Sequence, residues 1–151
     1  MDTTGSNRLN LSRGVPSVVE GIMKSPVVTV DSESSVTEVS KVMARNHVGG
    51  LVVTIEGKPA AMVTERDILE KVVATGADAS RVPVKRIMSK PLITVRRNLS
   101  VIEAIMLMRR KKVRRLPILE DERLIGIVTE RDLLKAIALH VFLSFRPLMK
   151  G

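Results

Sequence analysis

The residues from Ile22 to Leu69 recur from Ile87 to Leu134 at a constant offset of 65 (87 − 22), without a gap. Ile22-Met23 aligns with Ile87-Met88, Pro26 with Pro91, Thr29-Val30 with Thr94-Val95, Ser35-Val36 with Ser100-Val101 and Met43 with Met108. Val63-Thr64-Glu65-Arg66-Asp67 returns letter for letter as Val128-Thr129-Glu130-Arg131-Asp132. The unit is longer than a solenoid repeat, and two copies are too few for a stacked array. The expectation is two similar modules packed face to face in one globule about a pseudo-twofold axis. Such an axis turns any polar motif at the interface into a pair of related sites.

A chain of 151 residues, 44% hydrophobic and 27% charged, can bury one ordinary core or two small ones. No apolar run approaches the length of a membrane span, and the N-terminal stretch lacks the apolar centre of a secretory signal, so a cytoplasmic location is expected. Without cysteine there are no disulfides, thiolate metal sites or thiol nucleophiles, and His47 and His140 have no ligand pattern around them, so no metal is expected. The formal charge of +9 favours anionic partners such as nucleotides, nucleic acid or an acidic protein face. Its densest part is Arg109-Arg110-Lys111-Lys112 with Arg114-Arg115, which also reads as a solvated helix end complementing the helix dipole. With Phe142 and Phe145 as the two aromatic residues, single-strand binding by base stacking has little to work with.

The pattern within each copy reads strand, helix, strand, strand, helix, an α/β arrangement of two βαββα modules. Strands are expected at Val27–Val30 and Leu92–Val95, each entered through a short helical turn and a proline. Ser35 to Glu38 and Ser100 to Glu103 fit the capping box, opening helices whose apolar residues fall at helical spacing. Leu51–Ile55 and Leu116–Leu119 read as buried strands, Ala60–Val63 and Leu124–Val128 as the strands after a turn, and Glu65–Val73 and Glu130–Leu139 as second helices. The divisions expected are a mobile tail at 1–16, modules at 17–75 and 84–139 joined by a linker at 76–83, and a helical segment at 140–151 that completes the core or makes a dimer contact.

The segments Ala61 to Asp67 and Gly126 to Asp132 resemble the glycine-hydrophobic-x-threonine-x-x-aspartate signature of cystathionine beta-synthase (CBS) domains, and the whole repeat resembles a CBS pair. The Ile-Met-x-x-Pro lead-in, Thr29 and Thr94, and Val113-Arg114-Arg115-Leu116-Pro117 belong to the same likeness. The resemblance implies binding of an adenosine-containing ligand (AMP, ADP, ATP or S-adenosylmethionine) between the copies, and dimerisation into a flat disc. It implies site residues Thr29, Thr64, Arg66, Asp67, Thr94, Arg114, Arg115, Thr129, Arg131 and Asp132, with the two arginines in positions that contact phosphate in nucleotide-sensing relatives. Physical reasoning agrees in part. A threonine at a strand end and an aspartate three residues on share one side of a helix N-terminus, where a hydroxyl can meet phosphate and a carboxylate can accept ribose hydroxyls. The same Thr-x-x-Asp is also a capping-box variant, and that reading needs no ligand.

The copies differ where it matters. Gly49-Gly50 faces Arg114-Arg115 in the alignment, and Ala61 stands where the second copy has Gly126, so the two sites are expected to be inequivalent. The leading expectation is a nucleotide-binding regulatory module acting on a separate partner protein. The alternative is a nucleic-acid-binding protein using the basic surface, although no helix-turn-helix, RNA-recognition or OB signature accompanies the charge. An enzyme is not expected, since the chain offers no activated nucleophile, metal cluster or Walker lysine loop.

Overall fold

The computed structural model describes residues 16–145. The expected tail at 1–16 and the segment after Phe145 lie, but for Pro16, outside them. The first repeat contains β1 (Thr29–Asp31), α1 (Val36–Asn46), β2 (Gly50–Ile55), β3 (Lys58–Thr64) and α2 (Glu65–Ile68), which continues as a π-helical turn over Leu69–Val73. The second contains α3 (Val101–Lys111), β4 (Arg115–Glu120), β5 (Arg123–Thr129) and α4 (Glu130–Phe145).

In the first sheet β2 is central. It runs parallel to β1, with Thr29 opposite Val52, and antiparallel to β3, with Gly50 opposite Thr64. The second sheet keeps the antiparallel pair, Arg115 opposite Thr129, but the strand expected at Leu92–Val95 shrinks to a parallel bridge between Val95 and Ile118. The reason is in the sequence. Pro117 occupies the place of Val52 (52 + 65) and has no N–H to give to a neighbouring strand. The ladder is left with Val95 N–H to the Pro117 carbonyl and Leu119 N–H to the Val95 carbonyl, both 3.0 Å.

Both capping serines work as the sequence predicts, each accepting the N–H three residues on. At Ser100 the Glu103 carboxylate also returns to the Ser100 N–H, whereas Glu38 turns to Lys41. The two hairpins turn through paired left-handed residues, Glu56-Gly57 and Asp121-Glu122. The helix expected to end at Leu139 instead runs to Phe145, so the segment from His140 begins as its last turns. That stretch does not complete the core, because Val141, Phe142 and Phe145 are exposed.

The repeats are interleaved rather than merely adjacent. Val19 and Ile22 are buried among Val101, Met108, Leu116 and Leu133 of the second repeat, while Val84 and Ile87 are buried among Val36, Met43, Leu51 and Val63 of the first. The exchange obeys the twofold bond by bond. Val19 N–H donates to Leu99 as Val84 N–H does to Ser34, and the mutual pair of Lys24 with Ile127 is mirrored by Ser89 with Met62. Ser25-Pro26 and Lys90-Pro91, both cis, follow these bridges in each copy. Arg97 fastens the arrangement from outside, bonding Glu20 of the leading segment and Glu120 at the end of β4.

Candidate functional site

Each Thr-x-x-Asp motif lies where a hairpin strand turns into the second helix. Thr64 closes β3 in extended conformation, so its hydroxyl accepts the Asp67 N–H at 3.2 Å, while the Asp67 carboxylate accepts the Thr64 N–H at 2.9 Å and its hydroxyl at 3.0 Å. Thr129 and Asp132 repeat the hydroxyl contacts at 2.9 and 3.2 Å. The capping role foreseen from sequence is therefore present in both copies. It does not saturate the aspartates, since an ionised carboxylate offers about four lone-pair sites. Both side chains are largely buried, 14% and 17% exposed, and each has a cation beside it. Lys71 Nζ lies 2.9 Å from Asp67 Oδ1 and also donates to the Ile87 carbonyl, whereas Lys24 Nζ stands 3.5 Å from Asp132 Oδ2.

A cavity of about 550 Å³ opens between the repeats beside the first motif. Thr64, Asp67 and Met62 form one wall; Ser89, Lys90, Pro91, Leu92 and Ile93 form another; Lys112 to Arg115 close it from the second repeat. The arrangement supplies what an adenosine-like molecule needs: an apolar slot at Leu92 and Ile93, a hydroxyl and a carboxylate at one end, and cations around the rim. It brings together five of the residues expected from sequence, Thr64, Arg66, Asp67, Arg114 and Arg115. Thr129, Arg131 and Asp132 stand at the pseudo-symmetric place in the second repeat. Thr29 and Thr94 are exposed and stand outside the cavity lining; Leu92 and Ile93, which precede Thr94, line it instead.

The alignment of Gly49-Gly50 with Arg114-Arg115 acquires a physical reason. Residues 50 and 115 face each other across the pseudo-twofold, where two long side chains would collide. A methyl group on Gly50 would stand 2.8 Å from Arg115 Nε and 2.9 Å from its Cδ, and one on Gly49 would stand 2.8 Å from Arg115 Nη2. Arg115 thus crosses from the second repeat over the glycines of the first, toward Glu65. Burial is the main influence on its guanidinium and pulls its pKa down, with Glu65 opposing and Arg114 adding to the fall. Arg114 is exposed and 3.9 Å from Glu130, an ion pair worth little in water. Arg66 gives its Nε to Glu70 at 2.7 Å, and that bond raises its pKa.

Gly126 is the other asymmetric position. Its missing side chain is filled by Met23, so the glycine of the signature serves close packing against the exchanged segment rather than the cavity. Sequence reasoning missed Lys90, Lys112, Lys24 and Lys71. Each lies outside the repeated pentapeptide, and their equivalents are Ser25, His47, Ser89 and Ala136, so the repeat carried no signal for them. The run Arg109 to Lys111 occupies the last turn of α3, where cations are stabilised by the helix dipole without any nucleic acid. Among the described residues no group of three or more His, Cys, Asp or Glu is placed to hold a metal, and no helix is long and apolar enough to cross a membrane.

The family model described as "CBS domain" matches residues 19–74 and 84–139. An uncharacterised protein of Methanopyrus kandleri is 38% identical over 116 residues, 76% of this chain, which spans 59% of that relative's length. A putative signal-transduction protein with CBS domains from Burkholderia ambifaria superposes with a TM-score of 0.77 at 30% identity, covering 82% of this chain and 95% of that one. The CBS domain pair of protein MJ0100, solved in complex with 5-methylthioadenosine and S-adenosyl-L-methionine, superposes with a TM-score of 0.73 at 25% identity, covering 82% and 98%.

Proposed function

This chain belongs to the CBS domain family as a tandem pair, and from that premise we propose that it is a non-catalytic regulatory module that binds an adenosine-containing ligand between its repeats and signals to a separate partner protein. The observation that carries the reading is the cavity in which Thr64 and Asp67 of one repeat face the apolar Leu92 and Ile93 of the other. The MJ0100 pair, which shares this fold, was solved with two adenosine compounds. Because the walls come from interleaved repeats, a ligand bridging them would fix their relative position. That is a direct route from occupancy to surface shape.

Binding to the native state alone raises stability by mass action, about 2.7 kcal/mol at a hundredfold excess over Kd, or roughly 5–10 °C in Tm for a chain of this size. Thermal unfolding and calorimetry with AMP, ADP, ATP, S-adenosylmethionine and GTP test it. The expected outcome is stabilisation by at least one adenosine compound and none by GTP; no shift with any adenosine compound at millimolar concentration would overturn the proposal.

Self-association and a cytoplasmic location are part of the same reading. α3 and α4 present Ile102, Met106, Leu134, Val141, Phe142 and Phe145 to the outside, and the α4 residues recur at helical spacing as one stripe. An apolar stripe of this kind suits a second copy of the chain. Sedimentation of a Met106→Lys, Phe142→Ser variant tests it, the expected result being a shift from dimer to monomer.

A further inference from the structure

Charge is distributed unequally between the two pseudo-equivalent clefts. The cavity beside Thr64 and Asp67 is bordered by Arg66, Lys90, Lys112, Arg114 and Arg115 against Glu65 and Asp67, a formal balance of +3 (5 − 2). Moving each cation by the repeat offset of 65 gives Arg131, Ser25, His47, Gly49 and Gly50. The second cleft therefore keeps Arg131, gains Lys24 beside Asp132, and has Arg114 in the place of Gly49, 3.9 Å from Glu130, so that three cations meet the two anions Glu130 and Asp132 (3 − 2 = +1).

The inequality is built into the packing. Arg115 needs the space that Gly49 and Gly50 leave empty, so an arginine on one side of the axis requires glycine on the other. Its guanidinium offers the planar fork that binds phosphate oxygens in pairs. Its resident anion is Glu65, which lines the same cavity and can be displaced by a more highly charged group. Arg66 is engaged with Glu70, which leaves Lys90, Lys112 and Arg114 as the remaining cations around the opening.

From this asymmetry we infer that the Thr64/Asp67 cleft is the site of phosphorylated ligand, one nucleotide per chain, with Lys90, Arg114 and Arg115 on its phosphates, and that the Thr129/Asp132 cleft holds no phosphate-binding set. The inference rests on the adenosine reading above and adds which cleft is used and by what class of ligand. Unphosphorylated nucleosides gain nothing from the rim cations. Their affinity is set by the apolar slot and the aspartate, so discrimination by phosphate number resides in one cleft.

The test is calorimetry of the full chain with ATP, AMP and adenosine, using wild type, Lys90→Ser, Asp67→Asn and Asp132→Asn. The expected result is one ATP per chain, with affinity rising from adenosine to AMP to ATP. Lys90 is exposed, so Lys90→Ser installs the residue of the other cleft without disturbing the core. It should weaken ATP by roughly tenfold, the loss of one charge-assisted contact, and change adenosine by less than about twofold. Asp67→Asn should weaken ATP, and Asp132→Asn should not. Two ATP per chain, loss of ATP binding through Asp132→Asn alone, or an equal effect of Lys90→Ser on ATP and adenosine would each overturn the inference while leaving the adenosine reading intact. Absence of binding by all three compounds would instead remove the adenosine reading beneath it.

Discussion

Gly126→Ala tests whether the interleaving of the repeats, rather than the ligand, fixes the signature glycine. Gly126 lies in β5, buried, and a methyl there would stand 2.8 Å from Met23 Cγ and 3.0 Å from its Cβ, with Sδ closer still. Those atoms include the base of the side chain, so a change at the tip alone cannot relieve the overlap. Met23 must leave its place against the second core, and overpacking of this kind costs about 1–3 kcal/mol. Against it stands the gain of about 0.4–1 kcal/mol from a stiffer unfolded chain, available because Gly126 is not left-handed. The net expectation is a loss of about 1–2 kcal/mol, or about 2–8 °C in Tm. Ala61 shows that the fold accepts a methyl at this position where the partner segment is placed for it, since Ala61 is wholly buried with Met88 packed on the same core. The assay is urea unfolding followed by circular dichroism, because the chain has no Trp or Tyr for fluorescence. The coupling to Met23 is read from a double-mutant cycle with Met23→Ala, which removes Sδ and Cγ and leaves only the Cβ contact at 3.0 Å, so most of the cost of Gly126→Ala should be lost. A variant as stable as wild type, with the two changes additive, would refute the packing argument.

The two aspartates should differ in what they contribute to stability. Asp67→Ala loses bonds to the Thr64 N–H, the Thr64 hydroxyl and Lys71 and should cost about 1–2 kcal/mol, whereas Asp132→Ala should cost about half as much, by thermal unfolding. Glu122→Gly places in the second hairpin the glycine that the first has at Gly57; with φ at 63° the relief of left-handed strain should raise stability by about 0.5 kcal/mol, read from the urea midpoint. The Ser80 hydroxyl, and secondarily its N–H, hold the Asp78 carboxyl below the usual carboxylate range. A lowered folded-state pKa contributes stability at higher pH that is lost as pH falls through it; Ser80→Ala should move the Asp78 titration upward in NMR, but not fully to the ordinary value, because the N–H remains.

The repeat was legible in the sequence, and with it the element order, the capped helices, the paired Thr-x-x-Asp motifs and the CBS family. Those features are local or periodic: a serine with a glutamate three residues on, alternating branched residues, a pentapeptide written twice. It also showed that Gly49-Gly50 opposes Arg114-Arg115 without showing why. That residues 50 and 115 meet at the axis, so that Arg115 lies over the glycines, is a property of the folded chain. The tertiary structure alone placed Val19 and Ile22 in the core of the second repeat and Val84 and Ile87 in that of the first, because burial is satisfied by whichever apolar wall is nearest in space, and sequence distance does not enter. The same holds for the cavity. Lys90 is an isolated surface cation in the sequence and Lys112 one member of a basic run, and they become a set with Arg114 and Arg115 only when the interleaved repeats bring them to one opening. Pro117 is the converse case: its missing N–H was legible from the start, but that it faces the strand expected at Leu92–Val95 is a fact of sheet topology.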